Sequence, residues 1–169
     1  MSSLSTPTPT NTANVVSRGY YKIEGAARAF NFVFKDKVVL DIGSSTGGFT
    51  EYALNHGAKK VIAVEKGSHQ MKAPLRFDPR IELHEKTDIF EFPLSRDIDT
   101  VVADVSFISL TKILQYLKKL PNKNVDFLMM LKPQFEAKPY QLNKGIVKKD
   151  STYGATTQPK QNAKTDSFS

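Results

Sequence analysis

Charged residues close five short apolar runs in this chain: Asp41 in VVLDI, Glu65 after VIAV, Asp88 three residues beyond IELHE, Asp104 after VVA and Lys132 after FLMML. A strand can stop at a polar residue for no reason beyond solvent. Several such ends on one edge carry more meaning, because open α/β sheets bind ligands beyond the carboxyl ends of their strands. The first acid opens a loop of small residues, DIGSSTGGFT, from Asp41 to Thr50. That loop fits G-x-x-x-x-G, but Phe49 stands where a nucleotide triphosphate grip needs its lysine. It also lacks the G-x-G-x-x-G spelling that lets a backbone approach a pyrophosphate. A small ligand without phosphates suits it better. S-adenosylmethionine is such a ligand, its amino acid end lying along Gly43, Ser44, Ser45, Gly47, Gly48 and Phe49. Glu65 then sits where an acid holds the ribose hydroxyls, Asp88 reaches the adenine amino group, and Ile89 or Phe90 covers the ring. Asp41 and Asp104 complete the rim. Either of Asp41 and Glu65 alone would also suit a helix cap or a plain surface.

Elements of a specific kind must present these residues. Apolar runs alternating with helix-like segments indicate βαβ units and a mostly parallel sheet. The pattern predicts strands over Lys37–Ile42, Lys60–Glu65, Ile81–Glu85, Asp99–Asp104 and Val125–Leu131. Helices are predicted over Gly48–His56, closed by Gly57, over Ser68–Phe77, and over Leu110–Leu120 before Pro121, with Ser106 or Ser109 as a start. A further helix over Arg18–Phe32 precedes the sheet, with Ser17 as its cap.

Composition sets the outer bounds. The 169 residues suit one domain, and a formal charge of +7 favours polyanionic partners without specifying one. There is no Cys and only three His, which excludes disulfides and thiolate sites and disfavours a His-rich metal site. No apolar run is long enough to span a membrane and no secretory signal opens the chain, so the expectation is a soluble cytoplasmic protein. Residues 1–16 are uncharged and rich in Ser, Thr, Pro and Asn, and 151–169 are similarly polar, so both are expected to be disordered. Residues 17–150 hold 22 of the 24 basic and 16 of the 17 acidic residues and form the expected domain.

The segments VSRGYYKIEGAARAF, VLDIGSSTGGFTEYALNHGAKKVIAVEKG, DVSFISL and LKPQFEAK…NKGIVKKD resemble, in order and spacing, the TlyA (hemolysin A) branch of the FtsJ-like ribosomal RNA 2′-O-methyltransferases. The likeness covers about residues 16 to 150. It implies a Rossmann-like methyltransferase fold, S-adenosylmethionine as donor, and ribose hydroxyls of ribosomal RNA, free or in a pre-ribosomal particle, as acceptors. The family's Lys-Asp-Lys-Glu set carries over to Lys22 of SRGYYKI, Asp104 of DVSFIS and Lys132 of LKPQFE. The glutamate has no match, and Glu136 is a weak stand-in for it.

Methyl transfer from a sulfonium is an in-line displacement in which positioning supplies much of the catalysis. A ribose hydroxyl attacks once its proton is accepted. Lys132 does this only when neutral, a form that burial and the cation Lys22 would favour and Asp104 would oppose. Asp104 is therefore expected to orient the two lysines, and Pro133 to keep Lys132 extended instead of letting a helix begin there. Without the resemblance, Lys22 reads as a solvated helix lysine, Asp104 as a turn cap and Lys132 as a surface lysine.

The resemblance also marks departures. The family's S4-type RNA-binding domain and its last strands are not expected within this chain, so the fold is expected to be truncated at its carboxyl end. RNA would then rest on Arg18, Lys22, Lys138, Lys144, Lys148 and Lys149 around the mouth. Val125–Leu131 would form an exposed apolar edge open to self-association. Two readings follow: an active RNA 2′-O-methyltransferase, or a weak or inactive S-adenosylmethionine- and RNA-binding remnant.

Overall fold

The computed structural model describes residues 17–144 and 146–147. Helix α1 (Arg18–Ala29) leads into β1 (Val38–Ile42), α2 (Gly48–Asn55), β2 (Lys60–Val64), β3 (Ile81–His84), β4 (Thr100–Ala103), α3 (Leu110–Leu117), β5 (Asp126–Met129) and the single turn α4 (Pro133–Glu136). Strands β1 to β5 form one sheet in the order β3-β2-β1-β4-β5, every neighbour parallel. A two-residue antiparallel ribbon, β6 (Leu142–Asn143) with β7 (Ile146–Val147), follows and was not expected from sequence.

The central strands VVLDI, KVIAV and TVVA are buried almost throughout, as strands covered on both faces must be. Alternation divides their side chains between two cores. Val39, Val61, Ala63 and Val102 face Ile23 and Ala27 of α1 and Phe49, Tyr52 and Ala53 of α2. Leu40, Ile42, Ile62, Val64 and Val101 face Ile113 and Leu117 of α3, with Phe92 and Ile98. The strand order reverses at β1: β2 and β3 are added on one side of it and β4 and β5 on the other, all parallel. There the crevice opens beyond the strand ends.

Several expected elements are revised. Strand ends match the predicted bounds at Ile42, Lys60 and Ile81 and elsewhere fall one or two residues inside them, α1 stops at Ala29, and α3 stops at Leu117. Ser17 stands at the N-cap of α1 but its side chain makes no capping bond, whereas Ser109 caps α3 by accepting from Thr111 N–H at 3.1 Å. No helix forms over Ser68–Phe77; only a 3-10 turn at Leu75–Phe77 appears. Pro74 brings no amide hydrogen and disfavours helical geometry at Ala73. Upstream, the Gly67 and His69 amides donate to the Glu65 and Glu85 carboxylates instead of to a helical ladder. Lys132 is extended, as expected before Pro133, yet a helical turn does begin at that proline with Lys132 as its N-cap. Strand β5 lies at the sheet edge with Phe127 and Leu131 exposed.

Candidate active site

Glycine chemistry brings α1 to the strand ends. A Cβ on Gly48 would lie 2.2 Å from Ser17 Oγ and 2.5 Å from the Tyr20 nitrogen, so only glycine lets the start of α1 rest on the start of α2. Gly47 is the N-cap of α2 at φ +97°, where a Cβ would come within 2.5 Å of Leu75 Cδ2. Lys22, one turn into α1, thereby hangs over the ends of β1 and β4.

Two adjoining cavities occupy the crevice. The first, about 610 Å³, has Ile42, Val105, Ile89 and Ile113 as apolar wall and Gly43, Ser45, Glu65, Asp88 and Asp104 as polar wall. The second, about 460 Å³, runs along Arg18, Lys22, Ser44, Gly48, Phe49 and Lys132. Gly43, Ser45, Asp104 and Ser106 border both. A larger hollow of about 930 Å³ lies off the far end of α2 against Pro74 and Phe77 and holds none of the predicted site residues.

In the first cavity, Glu65 fixes the loop: Oε2 accepts Ser45 N–H at 2.8 Å and Oε1 accepts Gly67 N–H at 2.7 Å. Asp88 accepts Phe90 N–H at 3.1 Å and Lys66 Nζ at 3.1 Å, which together hold its carboxyl below the usual range. Ile89 is in the wall, whereas Phe90 stands outside it, edge-on to Tyr116.

Asp104 is the partition between the cavities. Its Oδ2 takes Lys22 Nζ at 2.9 Å, and its Oδ1 lies 2.8 Å from Lys132 Nζ, an ion pair without hydrogen-bond alignment. Lys132 Nζ donates to Ser106 Oγ at 2.9 Å. Partial burial would raise the Asp104 carboxyl, but the ammonium groups of Lys132 and Lys22 outweigh it and leave its pKa lowered. The arrangement can hold a hydroxyl beside an amine whose direction is set from two sides.

Other predicted residues lie elsewhere. Asp41 and Gly47 line neither cavity. Asp41 is buried beneath the loop, where alternation turns it toward α2 and Oδ2 takes the Thr50 hydroxyl at 2.6 Å. Glu136 is spent on the start of α3, not on the lysines. Lys138 and Lys144 are exposed and outside both cavities; Lys148 and Lys149 fall outside the described residues. Sequence reasoning missed Gln70, whose Oε1 takes the Ser45 hydroxyl at 3.0 Å, and the role of Ser106. It also missed Phe107, 91% exposed on the cavity rim at φ +64°. Among the described residues no helix is long and apolar enough to cross a membrane, and no cluster of three or more His, Asp or Glu could hold a metal ion.

A family model described as FtsJ-like methyltransferase matches residues 15–165. YqxC of Bacillus subtilis is 42% identical over 144 residues, 82% of this chain and 51% of that protein. TlyA of Mycobacterium tuberculosis, named a 16S/23S rRNA (cytidine-2′-O)-methyltransferase, is 40% identical over 138 residues, 80% of this chain and 52% of its own length. A solved structure from Streptococcus thermophilus, of a protein carrying the hemolysin name, superposes with a TM-score of 0.76 at 38% identity, covering 82% of this chain and 52% of that one. The chain thus spans about half the length of the curated relatives it matches.

Proposed function

Because the chain belongs to the FtsJ-like methyltransferase family, we propose that it transfers a methyl group from S-adenosylmethionine to a ribose 2′-hydroxyl of ribosomal RNA. The observation that carries this reading is one carboxylate, Asp104, ion-paired to Lys22 and Lys132 on the wall between two cavities. A cavity of about 610 Å³ is of the size that takes a small-molecule cofactor. Its residues fit a nucleoside with an amino acid tail. Glu65 offers a carboxylate to a ribose diol, Asp88 an acceptor to an exocyclic amine, and Ile42, Ile89 and Ile113 an apolar slot to a purine. Gly43 and Ser45 border the remaining polar wall.

When bound, the cofactor supplies a methyl carbon activated by a sulfonium that departs as a neutral thioether. The chain supplies the geometry and the proton acceptor. Asp104 fixes both lysines while they are charged, and Ser106 keeps Lys132 aimed once that amine has given up its proton. Lys132, in its neutral form, takes the hydroxyl proton as the oxygen–carbon bond forms, and Lys22 stabilises the negative charge developing on that oxygen. Arg18 and Lys22 meet the phosphates of an incoming strand. Phe107 gives a base a face to stack on.

Single-turnover transfer of labelled methyl from S-adenosylmethionine to ribosomal RNA tests this. Label is expected on ribose of ribosomal RNA and absent from a 2′-deoxy substitute at the same nucleotide. Equal labelling of both would overturn the proposal.

A further inference from the structure

The loops after β4 and β5, which carry Asp104 and Lys132, are joined a second time away from both cavities. Glu136, the last residue of α4, extends its carboxylate to the start of α3. Oε1 accepts the Leu110 N–H at 2.5 Å, and Oε2 accepts the Ser109 hydroxyl at 2.6 Å. Ser109 Oγ in turn accepts from the Thr111 N–H at 3.1 Å. The free amides at a helix amino end and the helix dipole both favour an anion there, so the tie is charge-assisted. One residue earlier, the Phe135 ring packs on Phe107 with centroids 5.2 Å apart.

A tie of this kind has a clear use. Lys132 Nζ must sit against Asp104 and Ser106, which belong to the other loop. Ion pairs and hydrogen bonds open to solvent hold their partners weakly by themselves. Lys132 is the N-cap of the helical turn that ends at Glu136, so anchoring one end of the turn fixes where the other end aims its side chain. Glu136 lines neither cavity, so it need not touch cofactor or RNA to have this effect.

We propose that Glu136 is a positioning residue: it clamps the Lys132 turn to the Asp104–Ser109 loop and thereby sets the direction of the Lys132 amine. The kinetic part of this inference rests on the methyl-transfer reading above; the clamp itself does not.

Glu136→Ala, Glu136→Gln and Ser109→Ala in the full chain test it. At saturating S-adenosylmethionine and RNA, Glu136→Ala is expected to slow single-turnover methyl transfer by about tenfold or more, because small displacements of a reacting group are costly. Cofactor Kd should remain at the wild-type value. Glu136→Gln should recover to within about threefold, since its amide oxygen still accepts from Leu110. Hydrogen exchange at the amides of 104–110 and 131–136 should quicken in Glu136→Ala. A wild-type rate in Glu136→Ala, or a rate loss matched by an equal loss of cofactor affinity, overturns the clamp. Should the wild type transfer no methyl, the activity reading falls while exchange still decides the clamp: unchanged protection in Glu136→Ala refutes it. If Glu136→Ala fails to fold, Ser109→Ala decides the matter at the amides of 134–136, which the Ser109 cap on Thr111 does not reach: faster exchange there supports the tie and unchanged exchange there refutes it.

Discussion

Lys22 and Lys132 share one carboxylate, Lys22 Nζ at 2.9 Å from Asp104 Oδ2 and Lys132 Nζ at 2.8 Å from Oδ1. The two amines are not equivalent, because Lys22 is over half exposed while Lys132 is further buried and bonded to Ser106. Lys132 is the amine whose direction is fixed from two sides, by Asp104 and by Ser106, which is what a proton acceptor aimed at a hydroxyl needs. Lys132→Ala should therefore lower methyl transfer by about 100-fold or more while leaving cofactor affinity unchanged. Calorimetric titration beside a transfer assay checks both halves, and full transfer by the variant would remove Lys132 from the chemistry.

Glu65 has two duties that a single substitution separates poorly unless the cofactor is measured directly. Its oxygens hold the Ser45 and Gly67 amides, and the carboxylate borders the cavity where a ribose diol would lie. Glu65→Gln keeps an acceptor for one amide but loses the charge-assisted bonds. S-adenosylmethionine affinity should fall by about ten- to 100-fold, in line with loss of one or two such bonds. RNA affinity without cofactor should stay put; a parallel drop in both would point to general collapse of the loop.

Asp41 makes stability depend on pH. Burial, with smaller contributions from the Glu65 and Asp104 charges, pushes its carboxyl up to about 7 from an ordinary 3.8, against the opposing hydrogen bonds from Thr50. Its Oδ1 has no partner among the described residues, which also favours the protonated form. Between those two values the unfolded chain has lost the proton and the folded chain keeps it. The contribution is thus fully present below about pH 4 and is lost as pH rises toward 7, on the order of a few kcal/mol across the window. Asp41→Asn should remove this slope, so denaturant midpoints of wild type and variant should diverge between pH 4.5 and 7.5. Parallel curves would show that Asp41 is ionised throughout.

Phe107 combines two features that seldom coincide without a reason. It is 91% exposed, and it is held at φ +64°, an unfavourable region for a bulky side chain. Phe107→Ala should leave folding stability nearly unchanged, because little of the ring is buried. RNA binding should weaken by about 1–3 kcal/mol if a base stacks there. Filter binding at fixed salt would show it, and unaltered RNA affinity would dismiss the platform.

The sheet was legible because VVLDI, KVIAV and TVVA are too continuously apolar for anything but covered strands, and their polar ends marked the crevice. Glu65, Asp104 and Lys132 could be read as neighbours because parallel strands bring their carboxyl ends to one edge. What failed was local direction. Asp41 shares that edge, yet the two-residue period of the strand turns it beneath the loop toward Thr50. Ser68–Phe77 has helix-forming residues, but Pro74 and the carboxylates of Glu65 and Glu85 claim the backbone first. The parts played by Ser106 and Glu136 come from loops distant in sequence meeting across β4 and β5, which no spacing encodes.

Gly48 separates the sequence reading from the structural one. Sequence assigned it to the cofactor cradle, whereas in the fold its missing Cβ makes room for Ser17 and Tyr20 of the helix that carries Lys22. The Ser17 hydroxyl could rotate away from an added methyl, but the Tyr20 nitrogen, 2.5 Å away, is backbone and cannot. Gly48→Ala must therefore push α1 off α2, at a cost of about 1–3 kcal/mol, typical of overpacking. The displaced element includes Lys22, while Glu65, Asp88 and Ile89 stand on the other cavity's wall. Methyl transfer should then drop by about tenfold or more with cofactor affinity retained. If cofactor affinity falls in step with the rate, Gly48 serves the cradle after all, and the approach of α1 is incidental to catalysis.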